Sequence, residues 1–272
     1  NAPCNSLVSA GDEVKVGTKV AERNDRFYLP LFSPVSGTVV GIEKKMTTSM
    51  KMADHLKIQN DHKQERVRAF EPIDYEAVSR EELLDFVKNA GMLGLGGAGF
   101  PTYVKLMPKN PEEIRWIVAN GAECEPGITC DDRLMVEHPD WIVNGLKVVL
   151  QIFPTAKAVI AIEENKPDAI KAIRKEISGD DRFSVLILKV KYPQGGERNL
   201  VHAVSGQYME SGALPASLGV IVDNTATLAA IYKAVCLNTP LYERGLTVTG
   251  SGAANPANYI VKFGTLVSEI LT

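Results

Sequence analysis

A chain of 272 residues, 45% hydrophobic and 23% charged, is long enough for one large domain or for two to three smaller ones. Its formal net charge of -3 leaves no basic footprint for nucleic acid or an anionic lipid surface, and no apolar run approaches the roughly 20 residues of a membrane span. The four cysteines, Cys4, Cys124, Cys130 and Cys236, include no CxxC pair, which argues against a disulfide framework and a ferredoxin-type cluster run. The chain opens on Asn1-Ala2 without a methionine, and the expectation is a tag scar on a cut start.

Residues 3 to about 60 read as short strands. "VSAGDEVKVGTKV" and "LFSPVSGTVVGI" alternate valines between Gly-Asp and Pro-Val-Ser-Gly turns, the pattern of an all-β unit. The stretch resembles the barrel-sandwich hybrid fold of biotinyl and lipoyl domains. Met50-Lys51-Met52 invites a biotin-lysine reading, but in a carrier domain that triplet sits on the hairpin between the two halves. The matching stretch here, Glu22 to Arg26, has no lysine, so the triplet is expected to be structural. Residues 61–76 read as a polar connector, with His55 and His62 nearby as surface residues.

Ser79 and Glu82 then form a candidate capping box ahead of Leu83, Phe86, Val87 and Ala90 at helical spacing. Gly91 is placed to end that helix. Beyond it runs the glycine-rich stretch, with Gly91, Gly94, Gly96, Gly97 and Gly99 within nine positions. Glycines let a ligand approach bare backbone N–H groups. Phe100-Pro101 follows, and Pro101 suits the first turn of a helix on which Lys105 would present an ammonium to a bound anion. The spacing Gly94-x-Gly96-x-x-Gly99 satisfies the dinucleotide pattern formally, but that pattern should follow a strand and here follows a helix. No Gly-Lys-Ser/Thr ending is present, which removes a Walker loop.

Strand and helix alternate afterwards. Strands are expected at 114–119, 157–162, 184–190 and 220–222. Helices are expected at 140–153, from Asn165-Lys-Pro-Asp to Ile177, and at 225–236. This predicts an α/β domain with a mostly parallel sheet and active groups on loops at the strand ends. Three such loops carry polar groups: Asn120 to Gly127, Tyr192 to Glu197, and Val222 to Thr227. The final 30 residues read as strand, turn, strand and short helix, with the chain cut as a third unit begins.

GLGGAGFPT, NGAECEP, ITCDDRLM, KYPQGGE and TVTG together resemble the RnfC family, the C subunits of the Rnf electron-transport complex, an ion-translocating ferredoxin:NAD oxidoreductase, across essentially the whole chain. More remotely, the middle region is similar to the flavoprotein subunit of respiratory complex I and of NAD-linked hydrogenases. The resemblance implies a barrel-sandwich hybrid β domain at 1–68, a Rossmann-like α/β domain binding FMN and NADH at 69–240, and the start of a soluble-ligand-binding β-grasp domain at 241–272. It implies non-covalent FMN, with NAD(H) as substrate and two 4Fe-4S clusters on a segment outside this chain. It also implies ferredoxin and the other Rnf subunits as partners, and a peripheral place on the cytoplasmic face of the bacterial membrane.

By the same resemblance, Gly94, Gly96, Gly97, Gly99 and Lys105 would hold the flavin phosphate and ribityl chain. Asn120 and Glu123 would line the ring, and Asn224 and Thr227 would close the pocket. Glu125, Gly195 and Glu197 would lie by the nicotinamide nucleotide, with Phe100 as an aromatic face. No catalytic acid or base and no metal ligand are expected. The complex I pattern has an acid at Ala122, an arginine at Leu95, a glutamate at Gly196 and an acid at Ala226; the RnfC pattern has a tyrosine at Gly127. Covalent flavin attachment in sister subunits uses a Ser-Gly-Ala-Thr type sequence, and neither Ser211-Gly-Ala-Leu214 nor Ser251-Gly-Ala-Ala254 supplies the threonine. Two alternatives stand beside this reading: a cobalamin reductase of diol-degrading microcompartments, and a docking scaffold without cofactor.

Overall fold

The computed structural model describes residues 3–47 and 49–271; the Asn1-Ala2 reading lies outside the described residues. Six strands open the chain: β1 (Asn5–Ser6), β2 (Glu13–Val14), β3 (Lys19–Asn24), β4 (Tyr28–Phe32), β5 (Gly37–Met46) and β6 (Met52–Asn60). They make two antiparallel sheets, ordered β1-β3-β4 and β2-β5-β6, closed over Val14, Val20 and Val39. Gly37 permits the tight β5–β6 start, since a Cβ there would lie 1.9 Å from the Gln59 carbonyl oxygen. Lys51 caps the β5–β6 turn, its carbonyl accepting from Thr47 N–H at 2.8 Å. The turn between the two halves falls at Asp25–Phe27, where no lysine stands.

The polar stretch 61–76 is a seam, where the sequence predicts a simple connector. Val16 and Val67 bond across it, and the Asn238 amide accepts from Ala69 N and Phe70 N at 2.9 and 3.2 Å. Phe70 lies edge-on to Phe32 of the β unit and Phe86 of the next domain. Apolar packing and backbone pairing thus join the two units despite the polar composition.

The α/β domain contains α1 (Arg80–Asn89), α2 (Thr102–Lys105), β7 (Trp116–Gly121), α3 (Cys130–Glu137), α4 (Pro139–Ile152), β8 (Lys157–Glu163), α5 (Pro167–Glu176), β9 (Phe183–Leu188), α6 (Glu197–Ser205), β10 (Val220–Asn224) and α7 (Thr225–Leu237). Its sheet runs β10-β7-β8-β9, every pairing parallel. β8 is buried from Ala158 to Glu163, as expected for a parallel strand covered on both faces. From β7 the chain builds outward through β8 and β9, then returns to add β10 on the other side. The strand order therefore reverses at the β7/β10 pair, where such sheets open a binding crevice.

The Ser79–Glu82 capping box is present in both directions, at 2.8 and 3.2 Å. α2 corrects the sequence reading: it is a single turn with Pro101 as N-cap, so it carries little macrodipole for an anion. α5 starts from Lys166 with no side-chain cap, in place of the expected Asn165. α3 and α6 are additional to the elements predicted. The chain continues into an antiparallel hairpin, β11 (Glu243–Val248) and β12 (Ala257–Lys262), and a last turn α8 (Val267–Ile270).

Candidate functional site

A cleft of about 930 Å³ lies outside the carboxyl ends of β7 and β10. Its walls come from the glycine-rich loop (Gly96, Gly97), the loop after β7 (Asn120, Glu123, Glu125), the turn before α6 (Gly195), Asn224 and the β11–β12 hairpin. The volume suits a cofactor or dinucleotide, which commonly occupies sites of roughly 300–1,000 Å³.

Each wall is fixed by a long-range bond. Leu95 N–H donates to the buried Thr227 Oγ1 at 2.9 Å, and Leu95 O accepts from Arg244 at 2.9 Å. The glycine-rich loop is thus tied to α7 on one side and to β11 on the other. Asn120 locks two loops together, its amide donating to Gly195 O at 3.0 Å while Ala122 N–H donates to its Oδ1 at 3.1 Å. Gly195 permits that approach, because a Cβ would stand 2.4 Å from Ala122 O. A Cβ on Gly96 would lie 2.7 Å from Asn224 Cβ, whereas Gly97 and Gly99 face open space. The close passage of Gly96 over α7 and the open faces of Gly97 and Gly99 make a cradle of the kind a flavin phosphate or ribityl chain needs, and the residues present fit such a group.

The electrostatics come from carboxylates set against helix ends. Glu123 accepts from Asp131 N and Asp132 N at 3.0 and 3.3 Å and so caps α3 from a different loop. Asp131 accepts from Asn224 Nδ2 at 2.6 Å, and Asn224 Oδ1 caps α7 by accepting from Ala226 N at 2.9 Å. Burial pushes the Asp131 carboxyl up to about 6, with the Asn224 bond and Arg244 opposing the rise and Glu123 adding to it. Burial, Asp131 and Glu123 push the Cys130 thiol up to about 11, which keeps it protonated. Ligand atoms of Glu123, Cys130 and Asp131 lie within 4.8 Å of one another. Capping and the bond to Asn224 already account for that cluster without a cation.

Seven of the sequence-predicted residues meet in the cleft wall: Gly96, Gly97, Asn120, Glu123, Glu125, Gly195 and Asn224. Gly94, Gly99, Phe100, Lys105, Glu197 and Thr227 stand beside or behind it. Gly94 N–H donates to Phe100 O at 2.8 Å and closes the loop. Glu197 is the first residue of α6. Lys105 donates to Val222 O at 2.7 Å and faces Glu197 and Asp223 at 3.5 and 3.8 Å. Asp223 is buried, one oxygen has no partner among the described residues, and burial raises it to about 6 against the pull of Lys105. Sequence reasoning missed Asp131, Asp223 and Arg244. The first two sat inside the quoted ITCDDRLM motif and the Val222–Thr227 loop, but nothing local marks their burial.

The arrangement defines a class: a parallel α/β domain with a glycine-lined crevice at its switch point. Residues 87–233 match the Nuo51 FMN-binding domain family and residues 1–63 the RnfC barrel sandwich hybrid domain; the chain belongs to the Nuo51 FMN-binding domain family. It is 38% identical over 270 residues to the C subunit of an ion-translocating oxidoreductase complex of Haemophilus influenzae strain PittEE, covering 98% of this chain and 41% of that protein. It is 37% identical to the C subunit of the Na(+)-translocating ferredoxin:NAD(+) oxidoreductase complex of Acetobacterium woodii, covering 99% and 61%. With the proton-translocating counterpart of Clostridium ljungdahlii it shares 35% identity, covering 99% and 59%. The chain therefore spans less than two thirds of each of these relatives. An NAD+-reducing [NiFe]-hydrogenase shares the fold, with a TM-score of 0.60 at 22% identity over 71% of this chain and 38% of that one. Among the described residues no helix is long and apolar enough to cross a membrane.

Proposed function

We propose that this chain is the flavin- and dinucleotide-binding part of an electron-transfer subunit in an ion-translocating ferredoxin:NAD oxidoreductase complex. The observation that carries the reading is the cleft at the β7/β10 switch point, walled by the glycine-rich loop in a chain of the Nuo51 FMN-binding family. FMN, once bound, would supply the exchange between two-electron hydride chemistry and single-electron transfer. The protein's own part is placement. Gly96 and Gly97 offer backbone to the cofactor, Asn120 holds the two facing loops at fixed separation, and Asn224 props the glycine-rich loop from below. Glu125 is exposed at the mouth, beside Tyr192, on the side assigned to the nicotinamide nucleotide. Lys105 would reach a phosphate only by exchanging Glu197 for it, while Asp223 stays beneath.

The reading keeps domain limits of 1–68, 69–240 and 241–272, a division supported by the seam near Phe70 and the start of the β11–β12 hairpin. Iron–sulfur clusters outside these residues would take the electrons onward to ferredoxin. The protein would sit peripherally on the cytoplasmic membrane face, held by the other subunits of the complex.

Titration with FMN followed by NADH tests the reading. The expected result is stoichiometric non-covalent FMN, released entirely by acid, whose absorbance bleaches on adding NADH and which reduces ferricyanide in turnover. Failure to retain FMN would sink it and favour the scaffold alternative, and retained FMN that NADH leaves oxidised would sink the dinucleotide part of the reading.

A further inference from the structure

The β5–β6 hairpin outruns the sheet that holds it. β2 pairs only with Gly37 and Thr38 of β5, so from the Gly41–Lys57 pair outward the hairpin is a two-stranded ribbon among the described residues. At its base, Ile58 and Leu56 pack on Val14, Val20 and Val39. The same face continues outward through the pairs Ile42–Leu56, Lys44–Asp54 and Met46–Met52. Its outer part is uncovered among the described residues: Ile42, Met46 and Met52 are each 60% exposed or more.

The turn adds a fourth apolar side chain. Met50 takes φ 58°, a left-handed conformation that glycine or asparagine adopts at less cost. Its N–H donates to Thr47 O at 2.9 Å, and its side chain is 77% exposed. The charge on the ribbon is one-sided. Residues 43–57 carry four lysines against Glu43 and Asp54, in a chain whose net charge is -3. Lys45 and Lys57 share Glu43, at 4.0 and 3.3 Å. Lys44 and Lys51 have no carboxylate within ion-pair distance among the described residues.

Single exposed apolar side chains are ordinary. Here four share one projecting ribbon with lysines around them. A stable protein interface takes roughly 20–30 residues a side, more than the ribbon offers. A second copy would bring lysine against lysine. A bilayer surface suits both features. Its interfacial layer accepts a narrow apolar strip, and long lysine side chains reach back to anionic headgroups. The unpaired backbone groups along the ribbon's outer edges confine it to that hydrated layer.

We propose that the outer half of the β5–β6 hairpin is a membrane contact, with Met46, Met50 and Met52 entering the interfacial layer of an anionic bilayer and Lys44 and Lys51 meeting its headgroup phosphates. The function proposed above leaves the hold on the membrane to other subunits. The inference gives this chain a lipid contact of its own, and no residue of the cleft takes part.

Co-sedimentation with vesicles of equimolar phosphatidylglycerol and phosphatidylcholine, against phosphatidylcholine alone, is the test. Wild type should bind the anionic vesicles only, and leave them as salt rises. Lys44→Gln with Lys51→Gln should weaken binding about thirtyfold, at about fivefold for each lysine near an anionic surface. Met46→Ser, Met50→Ser and Met52→Ser together should weaken it about tenfold or more. The emission of Met52→Trp should shift to the blue on anionic vesicles, a readout that needs no loss of binding. FMN affinity should be the same in every variant, so the outcome is separate from that of the cleft. The proposal fails if wild type ignores anionic vesicles, or if either set of substitutions leaves binding unchanged. Lysine-dependent binding without a blue shift would mean adsorption of charge alone and also overturns it. So would wild-type self-association that the methionine substitutions abolish, which would make the ribbon a contact between copies.

Discussion

Gly96→Ala tests how the cleft is built. The new methyl would lie 2.7 Å from Asn224 Cβ and 2.9 Å from both Cγ and Nδ2. Asn224 cannot swing aside freely, because one end of its amide caps α7 through Ala226 N and the other donates to Asp131. If Asn224 yields, the losses are an N-cap of about 1 kcal/mol and a charge-assisted hydrogen bond of about 1.5–3 kcal/mol. If the loop yields instead, the Leu95–Thr227 bond, worth about 1 kcal/mol, goes with it, and the cradle moves off its floor. Either route predicts about 1–4 kcal/mol of destabilisation together with weaker FMN binding. Urea denaturation and FMN titration measure the two effects. The decisive comparison is a double-mutant cycle with Asn224→Gly, which removes the colliding atoms. Gly96→Ala should then cost at least about 1 kcal/mol less than in the wild-type background. Strict additivity of the two substitutions would refute the contact as the cause.

Three further outcomes are expected. Lys105→Met leaves Asp223 buried without its cation and should destabilise by about 3 kcal/mol at pH 8, near the lower end for orphaning a buried charge; denaturation at pH 5 should show a smaller loss, because Asp223 without Lys105 titrates still higher and is then neutral. Asp131 has a folded pKa near 6 against an ordinary 3.8, so its stabilising contribution is fully present below about pH 4 and is lost as pH rises through 6; Asp131→Asn should flatten that part of the stability–pH curve, and an unchanged curve would show the carboxyl to be ordinary. Gly145→Ala places a methyl 2.0 Å from Leu228 O where α4 packs on α7; a melting temperature within a degree of wild type would contradict that approach, since overpacking of this kind costs about 1–3 kcal/mol.

Much of the fold was legible because its signals are local. Ser79 and Glu82 mark a helix start three residues apart, and alternating valines mark the β unit. α3 was hidden because its cap is remote: Thr129 makes no side-chain cap, and Glu123 supplies the acceptors from another loop. α6 likewise starts from Gly196 without a side-chain cap. The candidate site was readable as a set of loops, but the state of each group in it was not. Lys105 reads as a free ammonium until the fold brings Val222 and Asp223, more than a hundred positions away, against it. Phe27 and Phe100 carry no sequence sign that they touch, since a contact between domains leaves no periodicity.

The hold of the β11–β12 hairpin on the cleft has a thermodynamic consequence. Arg244 grips Leu95 O, Thr247 Oγ1 accepts from Thr129 N at 3.1 Å, and Asn258 bonds the Thr129 hydroxyl. The hairpin is thereby coupled to two of the loops that face a ligand, the glycine-rich loop and the one after β7. Any molecule that binds better when those loops are held also stabilises the hairpin, and by reciprocity whatever steadies the hairpin tightens that molecule by the same free energy. Two strands alone are marginal in water, so the hairpin's own order becomes a readout of occupancy. Amide exchange along Glu243–Val248 should slow when the cleft fills, at Leu246–Val248, which do not line the cleft, as well as at Glu243–Gly245, which do.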